Sequence, residues 1–135
     1  MEITIVVNLG RTATLDARLS AAIHRALYAG TEDATILLLR EMKVYPAKRR
    51  GSAYVRTKIL EKSWHRKVKR TATGATGEVV SSGQTAPYNV YVQKEGMQAA
   101  VHRGRWPSEV SVATRLQPQI VRMYETRVAQ AVSRA

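Results

Sequence analysis

The chain begins with an alternation of apolar and polar residues. Ile3, Ile5 and Val7 share one side of the stretch EITIVV, and a period of two residues is typical of a strand with one buried face. The following stretch, NLGRTAT, predicts a turn. We therefore predict that the protein opens with a half-buried β-strand.

The pattern then changes to a helical period. Apolar residues recur every three or four positions from Leu15 to Leu38, which is typical of an amphipathic helix. Thr14 is a suitable N-cap, and Asp16 is placed to favour the positive end of the helix dipole.

Gly30, followed by TED, interrupts this helical pattern, but the apolar phase continues across it without a slip. We predict one long helix over about residues 14–42 that is weakened at Gly30. Tyr45-Pro46 ends it, because the residue before a proline avoids the helical region.

The middle of the chain predicts short elements. An exposed basic loop covers about residues 44–58, and TKILEKSW fits a single helical turn. HRKVKRTATGATGEVVSS predicts two antiparallel strands joined by a turn near Gly74 to Gly77. APYNVYVQ is ambiguous between a strand and a short helix, and its apolar spacing favours the helix.

The C-terminal segment returns to a helical period from about residue 108, with Pro118 predicting a kink or a restart. The order of elements is strand, long helix, loop, antiparallel hairpin, short helix and C-terminal helix. This order predicts an α+β fold in a single domain over residues 1–135. The apolar stripe of the last helix consists of Ile120, Met123, Tyr124, Val128 and Ala131.

Charge is concentrated in one part of the chain. The net charge is +12, and residues 46–70 hold ten basic side chains against Glu61 alone. A cluster of this kind attracts an acidic partner, either nucleic acid or an acidic protein surface. No apolar run is long enough to span a bilayer, so we expect no membrane partner.

The sequence offers little catalytic or metal-binding chemistry. There is no cysteine, and His24, His65 and His102 have no metal-ligand spacing. No nucleophile elbow and no phosphate-binding loop occur. We expect a protein that is not an enzyme and needs no cofactor.

Two basic motifs allow alternative interpretations. AKRRGSAYVRTK and HRKVKR interleave cations with Tyr54 and Trp64, and bases can stack on such rings. The rings could equally pack into the core while the charges face water. HRGRW, at residues 102–106, could hold a general base, but Trp and Arg are also typical of protein interfaces, and we favour an interface.

The segments YVRTKILEKSW, GEVVSSGQTAPYNVYVQ and MQAAVHRGRW, followed by an amphipathic helix, resemble tail-completion proteins of tailed bacteriophages. These are small head–tail joining, or neck, proteins of the minor-tail family of lambda-like phages. The resemblance covers roughly residues 40–132. The matching residues are Arg56, Thr57, Leu60 and Ser63 in the first motif, Ala86, Pro87, Tyr88, Tyr91 and Val92 in the second, and His102 to Trp106 in a loop seen in one branch.

The sequence departs from the family at Lys58, where glycine is usual, and this puts a tight turn in doubt. The resemblance implies a ring of six or twelve subunits that docks between the capsid portal and the tail tube of the virion, with possible non-specific contact to genomic DNA. It also implies that the hairpin packs against the helices through the second motif. We accordingly predict that Tyr88, Tyr91 and Trp106 are mostly buried and structural. Trp64 is counted among the structural residues of the first motif.

The leading interpretation is therefore a virion structural protein at the head–tail junction. A small basic protein that binds nucleic acid non-specifically is the alternative, and a small enzyme that uses His102 is a third. The residues predicted to meet a partner or DNA are Lys48, Arg49, Arg50, Arg56, Lys58, Arg103 and Arg105.

Overall fold

The chain is an α+β fold in which a three-stranded sheet packs against two long helices. The computed structural model describes residues 1–10, 15–53 and 57–135. The described elements are β1 (Glu2–Asn8), α1 (Ala17–Met42), α2 (Ile59–Ser63), β2 (Trp64–Arg70), β3 (Gly74–Ser81), a 3-10 turn (Pro87–Asn89), α3 (Val90–Gln93) and α4 (Glu109–Arg134).

The sheet is antiparallel, with β3 in the middle and β1 and β2 at its edges. Ile3 lies opposite Val79, and Val79 lies opposite Arg66. The predicted alternation of β1 is confirmed, since Ile3 is buried whereas Val6 is 67% exposed. The principal core lies between this face of the sheet and the helices; its buried members are Ile3, Leu37, Leu38, Met42, Trp64, Val79, Val112 and Leu116.

The hydrogen bonds at both ends of β1 show which of its backbone groups bond to β3 and which point away from it. The Ser81 N–H donates to the Met1 carbonyl (3.1 Å), and the Leu9 N–H donates to the Thr73 carbonyl (2.9 Å). In an antiparallel ladder, bonded residues alternate along each strand. The odd-numbered residues of β1 therefore bond to β3, and the even-numbered ones point their N–H and C=O groups to the open edge.

The predicted hairpin is present, but its glycines do not form the turn. The turn occupies residues 71–73, and Gly74 and Gly77 lie inside β3. A Cβ on Gly77 would lie 2.7 Å from the methyl of Thr31 and 2.6 Å from that of Thr35. The prediction was wrong because this glycine serves the close approach of α1 to the sheet.

The long first helix is confirmed as one uninterrupted element. Its N-cap is Asp16, whose carboxylate accepts a hydrogen bond from the Leu19 N–H (2.9 Å); the predicted cap, Thr14, lies outside the described residues. Gly30 does not divide the helix. A Cβ there would lie 2.7 Å from the ring of Tyr124, so the glycine lets α4 pack closely.

Helix α4 runs antiparallel to α1. The guanidinium of Arg115 donates to Glu41 (2.8 Å), and that of Arg127 donates to Asp33 (2.6 Å). No restart occurs at Pro118, which lies inside the continuous helix. Pro118 is exposed, so the carbonyl that loses its intrahelical partner there can be hydrated.

The segment APYNVYVQ is helical as predicted, but the face that it buries excludes the two tyrosines. Asn89, Val92 and Gln93 are buried, whereas Tyr88 is 44% exposed and Tyr91 is 57% exposed. The prediction that these tyrosines are buried was wrong. The reason is that residues 89, 92 and 93, spaced three and four apart, form one helical face, and the tyrosines lie off it.

Gln93 anchors this segment to the core. Its side-chain oxygen accepts a hydrogen bond from the Trp64 indole N–H (2.8 Å), and its amide donates to the Met42 carbonyl (2.9 Å). The amide thereby joins the end of α1, the start of β2 and α3. Trp64 is buried, so of the two interpretations of its ring, packing into the core is the one that the structure shows.

Candidate partner-binding surface

A second, smaller apolar cluster lies beyond the C-terminal end of α1. Leu60, Ala86 and Val92 are its buried members, and Tyr45 and Trp106 pack against them. The rings of Tyr45 and Trp106 meet edge to face with centroids 5.0 Å apart. The fold thus brings together residues from the three motifs that resemble the phage family.

The turn put in doubt by Lys58 is present. Lys58 adopts a left-handed conformation, with φ 60° and ψ 16°, in which glycine is far more common than lysine. Helix α2 follows directly, and the Lys62 N–H donates to the Lys58 carbonyl (3.1 Å). A non-glycine residue therefore makes this turn under backbone strain.

Two similar turns project from this region. In the first basic turn, residues 49–52, the Ser52 N–H donates to the Arg49 carbonyl (3.0 Å). In the second basic turn, residues 102–105, the Arg105 N–H donates to the His102 carbonyl (3.1 Å). The third residue of each turn is a glycine with φ of 78° and 70°, respectively. Each turn places an arginine at its second position.

The two basic turns face each other across a hollow of about 420 Å³, which we name the basic cleft. The guanidinium of Arg105 donates to the Ala47 carbonyl (3.2 Å) and so ties one wall to the other. The residues that line the basic cleft are Lys48, Arg49, Arg50, Gly51, Ser52, Val101, His102, Arg105 and Trp106.

None of the described residues that line the basic cleft is acidic. Within residues 1–10, 15–53 and 57–135, the ion pairs are Arg40–Glu41, Arg115–Glu41 and Arg127–Asp33. All of them lie on α1 and α4. The cations of the basic cleft therefore form no ion pair with a described carboxylate.

The structure brings four of the predicted partner-binding residues into one hollow, since Lys48, Arg49, Arg50 and Arg105 share the basic cleft. Arg103 lines a neighbouring hollow, which Arg105 also lines, with Glu95, Ser108 and Arg115. Lys58 lies with Thr57, Tyr88, His102 and Trp106 in a third hollow. Arg56 and Tyr54 lie outside the described residues.

Five exposed apolar side chains belong to residues that line these hollows or that adjoin lining residues in the sequence, and sequence reasoning missed them. Tyr88 and Tyr91 were expected in the core, and Ile59, Met97 and Val101 were not singled out at all. Each of the five exposes more than a third of its surface. The signal in the sequence that could have revealed the exposed tyrosines was the pair of amide residues Asn89 and Gln93. Both are buried in the structure, and the tyrosines lie off the face that they share. We name these five residues and the basic cleft together the docking surface.

His102 lines two of the hollows, and its ring meets Trp106 edge-on at 6.2 Å. Its Nδ1 atom is buried and has no hydrogen-bond partner among the described residues.

In the described part of the chain, no three His, Asp or Glu side chains lie close enough to hold a metal ion. None of the described helices is long and apolar enough to cross a membrane.

Comparison with known proteins gives this chain no relative: no protein-family model, no curated protein and no solved structure matches it.

Proposed function

We propose that this protein is a non-enzymatic structural component of the virion of a tailed bacteriophage, a ring-forming connector between the portal side of the capsid and the tail. The sequence resemblance suggests this role. The convergence of its three motifs on one apolar cluster supports it, since residues 60, 86 and 106 are far apart in the chain and neighbours in the fold.

The observation that carries the proposal is the composition of the docking surface. Tyrosine, methionine and arginine are enriched in protein interfaces, and hot spots are commonly aromatic or arginine residues. Here Tyr88, Tyr91 and Met97 are exposed, and the cations of the basic cleft form no ion pair with a described carboxylate. When a partner covers exposed aromatic side chains of this kind, apolar surface is removed from water, and this stabilises the complex.

The partners implied are other copies of the chain, in a ring of six or twelve, and the adjoining portal-side and tail-tube proteins. A cationic rim speeds encounter with an acidic neighbour and makes assembly sensitive to salt. In this role the protein acts by docking at the head–tail junction.

The alternative function, non-specific binding of nucleic acid by a small basic protein, is favoured by one observation. The basic cleft gathers four cations and no carboxylate. This arrangement is compatible with a connector that also touches DNA.

Removal of the exposed aromatic rings tests the proposed function. A Tyr88→Ser, Tyr91→Ser double variant should fold normally but reduce the yield of joined particles at least about tenfold, which corresponds to about 1.4 kcal/mol. Joining is measured by complementing a phage that lacks the gene and counting tailed particles by electron microscopy.

The matched control is Val121→Ser with Val132→Ser, which removes two similarly exposed apolar side chains from α4. This variant should join heads to tails like the wild type. Normal joining by the tyrosine variant, or an equal loss in both variants, contradicts the proposed function.

A further inference from the structure

We propose, building on the proposed function, that the basic cleft binds the phosphodiester backbone of a nucleic acid. Its cations come from two turns about fifty residues apart in sequence, and Arg105 joins these turns through the Ala47 carbonyl. The fold therefore assembles a site that neither basic turn contains alone.

The chemistry of the walls suits phosphate. Lys48, Arg49 and Arg50 line the basic cleft together with Arg105. A guanidinium presents several N–H donors in a planar fork that matches two phosphate oxygens, and a lysine adds a point charge. No carboxylate lines the basic cleft to compete for these donors.

The shape of the basic cleft favours a linear polyanion over a folded acidic surface. The cations line an open hollow that is bordered by both basic turns. The successive phosphates of a nucleic-acid backbone can therefore contact cations from both turns along one strand.

The contacts of Trp106 in the basic cleft indicate that a nucleic acid is recognised by its backbone rather than by its bases. Trp106 is already engaged edge-on by Tyr45 at 5.0 Å and by His102 at 6.2 Å. Its carbonyl accepts a hydrogen bond from the Gln98 amide (3.2 Å). These contacts hold the ring in place, and the cations around it suit phosphates, which carry no sequence information, so binding should not depend on base sequence.

Salt dependence provides the quantitative test. Each phosphate contact with duplex DNA contributes about −0.9 to the slope of log K against log salt. Four cations therefore predict a contribution of about −3.6 from the basic cleft. Changing three of them to glutamine should make the slope less negative by about 2.7.

The experiment measures fluorescence anisotropy of a labelled duplex and of a labelled single strand between about 50 and 200 mM salt. The test variant is K48Q/R49Q/R50Q. The matched control is R66Q/K67Q/K69Q, which removes the same charge from exposed residues of β2. The test variant should bind both probes at least about tenfold more weakly than the control, with the smaller slope.

An equal loss in the test and control variants would overturn the proposal, because binding would then follow net charge alone. Absence of binding by the wild-type protein would overturn it as well. Poly-glutamate serves as the acidic-protein probe: if it binds the wild type as tightly as DNA and loses affinity in the same test variant, the basic cleft takes an acidic peptide instead.

Particle joining by the tyrosine double variant separates this proposal from the proposed function. If the wild-type protein binds DNA but the tyrosine variant joins heads to tails normally, only the connector function is contradicted. Failure of DNA binding with tyrosine-dependent joining contradicts only the phosphodiester ligand.

Discussion

Replacing Lys58 with glycine should stabilise this protein. Lys58 begins α2 with φ 60°, and among the described residues it is the only non-glycine residue with a positive φ. Glycine adopts this conformation without steric cost because it has no Cβ. The family that the sequence resembles usually has glycine here.

The size of the effect follows from two opposing contributions. A left-handed conformation costs a residue with a Cβ about 1–2 kcal/mol. Glycine has more freedom in the unfolded chain, which lowers the gain by about 0.5–1 kcal/mol. The net increase in the free energy of unfolding should be about 0.5–1 kcal/mol, which corresponds to a Tm rise of about 2–4 °C for a chain of this size.

The assay is urea denaturation of the wild type, Lys58→Gly and Lys58→Ala. The alanine variant removes the same charge and the same long side chain but keeps the Cβ, so it should be no more stable than the wild type. If glycine and alanine give the same midpoint, the left-handed strain at this turn is absent and the reasoning fails.

Three further experiments test other parts of the fold. Val6→Pro removes an N–H that faces the open edge of β1 and should lower the free energy of unfolding by less than about 1 kcal/mol. Val7→Pro removes a ladder hydrogen bond to β3 and should lower it by about 3 kcal/mol or more. Equal midpoints of the two variants in denaturant would contradict the assigned alternation. Gln93→Ala leaves two buried hydrogen-bonding partners unsatisfied and should lower the free energy of unfolding by about 2–4 kcal/mol. Tyr91→Ala should change it by less than about 1 kcal/mol. The same denaturant titration checks both variants, and an equally small loss of stability in Gln93→Ala would refute the anchoring role. Burial raises the pKa of Tyr124 above its ordinary value of 10.0, so its contribution to stability is complete below pH 10 and is lost as pH rises from there through the higher folded pKa. Tyr124→Phe should lessen the alkaline loss of stability, and an unchanged pH profile would show that this phenol does not contribute to it.

The first strand and the two long helices were predictable because apolar residues recur regularly along each of them. The alternation of EITIVV and the 3.6-residue period of the helices each depend on one buried face, which local sequence reports directly. The hairpin turn was misplaced for the opposite reason. Gly77 avoids the methyls of Thr31 and Thr35 on α1, and this tertiary contact leaves no local signal.

The surface was predicted only in part. The cations were visible as a cluster, but their arrangement depends on a contact between Arg105 and Ala47 that the sequence does not reveal. The exposure of Tyr88 and Tyr91 was missed because aromatic residues at helical spacing were assigned to the core. In the structure Gln93 occupies that core position, since its amide satisfies both Trp64 and Met42.

The most direct test of the proposed function is electron cryo-microscopy of the particles produced by the genome that encodes this chain. We predict a ring of density at the head–tail junction into which copies of the fold fit, with Tyr88 and Tyr91 covered by a neighbouring subunit. Intact tailed particles that contain no copy of this protein at the junction would contradict the proposed function.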